Sequence, residues 1–526
     1  MRRQRVHFAQ WLLVTALGSA PRFVASQPAP MGTAASQPVD TARLVQPAAV
    51  SPRASSNFSA TDPGQDGSAV TPPLATALRK LVESVTQRGG KLSALVFDLN
   101  NDKSVASVAP KVALNPASNQ KLLLASGALA LLGPGYQFKT GVYGVQRGGS
   151  APSLVLRGNG DPSLGTEDLW ILVDTLVARG LVQVNGPIFV DQSAFDDKFT
   201  PPAFDQQPNE WAAFRAPVSA LALEENTVTL HVIPTEPGKP ARAWFTPASM
   251  VDVRGTVLTA PKGKASQVRL TLQANGLRLS AQVSGVIAAG QGEQRFTRRV
   301  EDPRLMPGYV FRELLLARGV QVAGGVELGG SDVKGRLAQV TSEPLARLAF
   351  QLGKESDNFY AEMLLKAIGA RAFSGPGSSE GGANALRTWL LAEGLWVESS
   401  VLKNGSGLYD ANRLSAEQIV NVLRFAQGNS QIGPEFVSHL SVAGRDGTLQ
   451  RRFPKLKEAA AVRAKTGTLA KAVALSGYAM ERGRPRYAFS ILVNGVADHA
   501  SIRPLMDAVV ESLVVLPMPP SAKVPR

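Results

Sequence analysis

Residues 115–133 read NPASNQKLLLASGALALLG. Pro116 starts the segment, Leu122 to Leu132 continue it without a charge, and Gly133-Pro134-Gly135 end it. That pattern predicts a helix of about four turns, opened by proline and stopped by glycine. Ser118 and Lys121 stand three residues apart at its first turn, on a stretch otherwise apolar. Two readings are open. The polar residues open an ordinary core helix, or a nucleophile has its base one turn away, since residues three apart share a helix face. A serine that attacks an amide must lose its proton. A lysine can take that proton if burial and neighbouring cations keep its amine neutral.

Alone, S-x-x-K is weak evidence. Ser331–Lys334 (SDVK) matches it but lies in a glycine-flanked turn with no helix after it. Ser55–Asn57 matches S-x-N within an Ala/Pro/Ser/Thr-rich stretch, and Lys139–Gly141 matches K-T-G but follows Lys121 too soon. One set survives on order and context together. Ser118-Asn-Gln-Lys121 opens a predicted helix, Ser356-Asp-Asn358 falls in a tight loop between two, and Lys465-Thr466-Gly467-Thr468 leads into a predicted strand.

This trio resembles the signature shared by penicillin-binding proteins and active-site serine β-lactamases. The long gap between the first two motifs narrows the resemblance to the class C low-molecular-mass penicillin-binding proteins, the D-alanyl-D-alanine carboxypeptidase/endopeptidase (DacB) family. It spans about residues 73–517 and includes LVLRGNGDPSL, VNGPIFVDQSAFD, FRAPVSALALEENTVTLHV, NGSGLYDANRLS and LSVAGRDGTLQRRF. Asn404 departs from the Asp usual in that family, and Tyr409 from a small hydroxyl residue. The resemblance implies an α/β (α+β) fold: a transpeptidase/β-lactamase-like core, antiparallel sheet plus helical subdomain, with inserted strand-rich domains. It implies Ser118 as the acylated residue, Lys121 as its base, and Ser356 and Lys465 as a proton relay to the departing D-alanine. Asn358 would hold the substrate amide, and Thr466, Gly467 and Thr468 the terminal carboxylate. The backbone N–H groups of Ser118 and Thr468 would form the oxyanion hole. Peptidoglycan stem peptides and β-lactams are the implied partners, with no cofactor and no metal. A β-lactamase and a catalytically idle wall-binding scaffold are the competing readings. The large insertion speaks against the first, the intact trio against the second.

The rest of the chain frames these residues. Its length of 526 residues calls for two or three domains. Lys and Arg number 56 against 41 Asp and Glu, a net charge of +15 that favours anionic partners. No dense basic run beside aromatics and no zinc-finger spacing points to nucleic acid. The absence of cysteine removes thiol nucleophiles, disulfides and Cys-based zinc sites. The four histidines, His7, His231, His439 and His499, are scattered, and nothing local supports a His-dependent triad.

Three arginines precede an apolar stretch from Phe8 to Ala20 and then small residues, the layout of a secretory signal over 1–26, with an uncleaved anchor as the alternative. The expected location is across the cytoplasmic membrane, in the periplasm, with membrane contact only through that segment. Residues 27–72, rich in Ala, Pro, Ser, Thr and Gln, read as a disordered linker. The catalytic domain is expected over 73–137 and 342–517, with Ser342 as a helix N-cap. Residues 138–341 alternate short apolar and polar runs and read as inserted strand-rich domains, and 518–526 as a tail.

Overall fold

The computed structural model describes residues 71–454, 456 and 461–514. The expected signal segment, nearly all of the linker and the tail lie outside the described residues. All described residues belong to one compact unit.

The centre is a six-stranded antiparallel sheet. Its strands run in the order Ser441–Val442, Val462–Leu469, Ala472–Glu481, Arg484–Asn494, Lys91–Asp98, Lys103–Val108. The first and the last described strands therefore pair in mid-sheet, with Lys91 opposite Asn494 and Asp98 opposite Tyr487. Strand periodicity of two divides the apolar residues between two cores. Ala94 and Val96 face one side, with Ile491 and Val493, under the first helix (Pro72–Gln87) and the last (His499–Val514). Leu95 and Phe97 face the other, with Ala488 and Leu492, against the helical subdomain.

That subdomain is built around the quoted segment. Ala117–Asn119 makes one 3-10 turn, and an α-helix follows from Gln120 to Leu132. Leu122, Leu123 and Leu124 are all fully buried, so the helix is apolar on every side, as a central core helix must be. Truncating any of the three to alanine would cost about 2–5 kcal/mol. Helices Asn358–Ala372, Ser379–Ala392 and Ala416–Gly428 surround it. Ser342 does not cap a helix. Its hydroxyl accepts from the N–H of Phe138 at 2.9 Å, tying the two ends of the strand-rich stretch together, and Pro344 precedes the helix Leu345–Phe350.

Residues 138–341 hold a five-stranded sheet and three smaller ones around their own apolar core. The K-T-G at Lys139–Gly141 starts a strand of that five-stranded sheet, and Ser331 sits in an exposed turn whose carbonyls accept from Arg157. The stretch is also fastened to the helical subdomain. Phe195, Ala216, Val218 and Ala220 belong to the core around the quoted helix. Lys366, fully buried on the helix Asn358–Ala372, donates to Asp196 Oδ1 at 2.5 Å and to the Lys198 carbonyl at 2.8 Å.

Candidate active site

The turn that carries Ser118 is held from three sides. Ala117 has φ +47°, a left-handed conformation that costs a residue with a Cβ about 1–3 kcal/mol. Asn115 holds it: its Oδ1 accepts from the Ala117 N–H at 2.9 Å, while its Nδ2 donates to the Tyr409 carbonyl at 2.9 Å. Two glycines make the approach possible. A Cβ on Gly407 (φ +76°) would lie 1.9 Å from the Ala117 carbonyl oxygen, and one on Gly467 would lie 2.9 Å from that of Pro116. The glycine of Lys465-Thr-Gly-Thr is thus what lets the strand Val462–Leu469 run against the Ser118 turn.

The structure brings the three motifs into one cluster. Lys121 Nζ donates to Ser118 Oγ at 3.1 Å, Asn358 Oδ1 at 2.8 Å and the Ser406 carbonyl at 2.7 Å. Lys465 Nζ donates to Ser356 Oγ at 2.7 Å and to the Thr466 carbonyl at 2.8 Å. Ser356 itself is left-handed (φ +60°), so its side chain turns out of the helical path before the helix resumes at Asn358. Asn358 Nδ2 donates to the Phe214 carbonyl at 3.1 Å, so one wall of the site comes from the strand-rich stretch. Ser118 is half-buried, whereas both lysines are buried.

Burial sets the electrostatics. Lys121 is lowered to about 7 by desolvation, against the opposing charges of Asp357 and Glu362. Lys465 is driven well below the usual lysine range by burial and by the neighbouring Lys121 charge. A neutral amine on Lys121 can accept the Ser118 proton, and a hydroxyl bridging to Lys465 can pass one on. No described histidine reaches either serine. His439, lowered to about 4 chiefly by burial, is neutral and donates from Nδ1 to the Phe436 carbonyl. Among the described residues no group of His, Asp or Glu could hold a metal ion.

Several residues of the site carry no motif. Glu362, fully buried, accepts from the N–H groups of Gly405 and Ser406 at 3.1 and 2.8 Å, which aims the Ser406 carbonyl at Lys121. Arg503, on the last helix, donates to Thr468 Oγ1 at 3.1 Å. Lys354 donates to Asp446 Oδ2 at 2.6 Å and to the Leu440 carbonyl at 3.0 Å, while Asp446 Oδ1 accepts from the Val442 N–H at 2.8 Å. This ion pair fixes residues 440–446 to the segment two residues ahead of Ser356. Asp446→Asn keeps the shape and removes the charge, and the loosened Ser356 should slow acylation about ten-fold with little change in KM. Unchanged kcat would show that Ser356 is held without the pair.

Asn404 and Tyr409, the two departures, meet the strand-rich stretch. Asn404 Nδ2 donates to the Pro202 carbonyl at 3.0 Å, which an Asp could not do, and the Tyr409 hydroxyl donates to Gln207 Oε1 at 3.2 Å.

The chain is similar to known proteins over most of its length. The family described as D-Ala-D-Ala carboxypeptidase 3 (S13) matches residues 74–514. A D-alanyl-D-alanine carboxypeptidase of Actinomadura sp. is 30% identical over 454 residues, 82% of each chain. The crystal structure of penicillin binding protein 4 (dacB) from Haemophilus influenzae superposes with a TM-score of 0.70 at 24% identity, covering 82% of this chain and 99% of that one. The same protein complexed with a β-lactam superposes with a TM-score of 0.65 at 24% identity, covering 82% and 98%.

Proposed function

The chain belongs to the D-Ala-D-Ala carboxypeptidase 3 (S13) family, and we propose that it removes the terminal D-alanine from peptidoglycan stem peptides, cleaves D,D cross-links, and is acylated by β-lactams, all through an ester on Ser118. The observation that carries this reading is Lys121 Nζ, lowered to about 7 and hydrogen-bonded at once to Ser118 Oγ and Asn358 Oδ1.

Ser118 Oγ attacks the carbonyl carbon of the penultimate D-alanine and gives its proton to Lys121. The oxyanion is held by the N–H groups of Ser118 and Thr468, an interaction worth about 3 kcal/mol of barrier where one such donor has been removed. Collapse breaks the C–N bond, and the departing nitrogen takes the Ser356 hydroxyl proton, which Lys465 replaces. The proton that Lys121 took from Ser118 passes on to the Ser356–Lys465 relay, which leaves both amines neutral again. Water then attacks the ester and gives its proton to Lys121, and Lys121 returns it to Ser118 Oγ as the ester bond breaks. Asn358 holds the substrate amide, and Thr466, Gly467 and Thr468 hold its carboxylate, with the Arg503 guanidinium alongside. The basic amino-terminal segment and a substrate in the cell wall support a location across the cytoplasmic membrane, in the periplasm. Among the described residues no helix is long and apolar enough to cross a membrane.

Purified protein incubated with fluorescent penicillin should gain the mass of one penicilloyl group, release D-alanine from a stem pentapeptide, and cut dimeric muropeptides. Labelling without D-alanine release would overturn the peptidase reading, and no labelling would overturn the acyl-enzyme.

A further inference from the structure

More than half of the chain's net positive charge lies in one segment of the strand-rich stretch. Residues 239–299 hold ten Lys and Arg against two acidic residues, a net +8 out of the whole chain's +15. They build most of two sheets in the strand-rich stretch. In the first, Val251–Gly255, Arg278–Ala288 and Gln267–Asn275 lie side by side, with Leu258–Ala260 completing it. Leu272, Leu279, Ala281 and Val283 point into the apolar core. The opposite face is polar. Arg254 stands opposite Gln282, which stands opposite Thr271; Arg269 pairs with Ser284, and Gln273 with Ser280. Neighbouring strands lie about 4.8 Å apart, so Arg254 and Arg269 are separated by roughly 10–12 Å across one flat face.

Three lysines extend the face at one end. Lys262 and Lys264 occupy the exposed turn that leads into Gln267–Asn275. Lys239 lies beside it, its carbonyl accepting from the Thr259 N–H at 2.8 Å. Arg242 follows on the strand that adjoins this edge through the Pro240–Leu258 bridge. Arg278 and Arg295 are neutralised by Asp252 and Glu293, each at 2.7 Å. Lys239, Arg242, Arg254, Lys262, Lys264 and Arg269 are exposed and have no ion-pair partner among the described residues. Six unpaired cations on a surface of Gln, Ser and Thr make a face that attracts polyanions and offers hydrogen bonds to hydroxyl and amide groups.

We propose that this basic sheet face is a docking surface for the peptidoglycan polymer itself, binding its glycan strands and the free carboxylates of its stem peptides while the cleft works on one of them. The proposal rests on the reading of the chain as a peptidoglycan peptidase. A surface so placed holds the enzyme near successive substrates without touching the reacting bond. Its contribution falls as salt screens exposed charges beyond about 8–10 Å.

The test uses the full chain carrying Arg254→Gln, Lys262→Gln, Lys264→Gln and Arg269→Gln together. Co-sedimentation with purified insoluble sacculi is measured from low to high NaCl, beside β-lactam acylation and D-alanine release from a soluble pentapeptide. The variant should bind sacculi about ten-fold more weakly at low salt, lose most of the salt dependence, and cut the soluble peptide within two-fold of wild type. A second variant, Lys80→Gln with Lys91→Gln, Lys103→Gln and Lys111→Gln, neutralises as many exposed cations on the catalytic core and should sediment like wild type. Equal loss from the second variant would show diffuse charge and overturn the proposal, as would unchanged sedimentation of the first. Binding to a DNA duplex but not to sacculi would overturn it as well. Sedimentation is read independently of acylation, so a wild-type protein that binds sacculi yet takes no β-lactam refutes the catalytic reading and leaves the docking surface standing.

Discussion

Ser118→Ala is expected to take no β-lactam at any time or concentration, and to lose D-alanine release by at least about four orders of magnitude. The fold should survive. Ser118 is half-buried, and the bond its hydroxyl accepts comes from Lys121 Nζ, which keeps the Asn358 side chain and the Ser406 carbonyl as acceptors. The lost bond is worth about 1 kcal/mol, a shift in melting temperature of a few degrees. The left-handed Ala117 and the close contacts of Gly407 and Gly467 hold the turn without the hydroxyl. Intact-mass measurement after penicillin treatment decides the matter. An adduct that persists in this variant, or that maps to Ser331 in its exposed turn, would remove Ser118 from the chemistry.

That the three motifs would meet was legible because their residues open or close predicted elements, and because the competing matches at Ser331 and Lys139 fail on local context. The central strands show why a sheet buried on both sides forms there: Leu92 to Phe97 and Ala472 to Met480 are largely apolar on both faces. What supports the trio was not legible. Glu362 reads as an ordinary helix residue, and only the fold turns its carboxylate toward the Ser406 loop. Lys354 and Asp446 lie 92 residues apart, and neither sits in a motif that signals a pair. The Phe214 carbonyl contributes through its backbone, which carries no side-chain signal at all.

The strand-rich stretch teaches the same lesson at larger scale. Its texture separates it from the helical blocks, yet Phe195, Ala216 and Val218 fill the core around the helix Gln120–Leu132 and Asp196 pairs with the buried Lys366. Texture reports local periodicity, whereas attachment depends on which few side chains cross between cores. An ammonium left buried without its carboxylate is strongly destabilising, so the stretch holds the helix of Asn358 in place as well as supplying its neighbour Phe214.

Lys121→Ala should slow acylation by about 10³ and abolish its pH dependence near neutrality. In the wild type the Lys121 amine sits at about 7 because burial opposes its charge. Below that pH it is an ammonium and cannot accept the Ser118 proton; above it the free amine can. Log kcat/KM for acylation should therefore rise with unit slope up to about pH 7 and then level. Lys121→Arg keeps a cation in place but never a base, and it should be as slow as the alanine variant at every pH. A positive charge that merely stabilised the oxyanion would instead survive that substitution. Lys465 supplies an independent check, because the Lys121 charge is one of the two causes that depress it. Removing Lys121 should raise the Lys465 pKa, visible as an upward shift of its Nζ-adjacent CH₂ resonance in an NMR titration. If acylation in Lys121→Ala still climbs through neutral pH, the base is Lys465, and the proton of Ser118 leaves by way of Ser356.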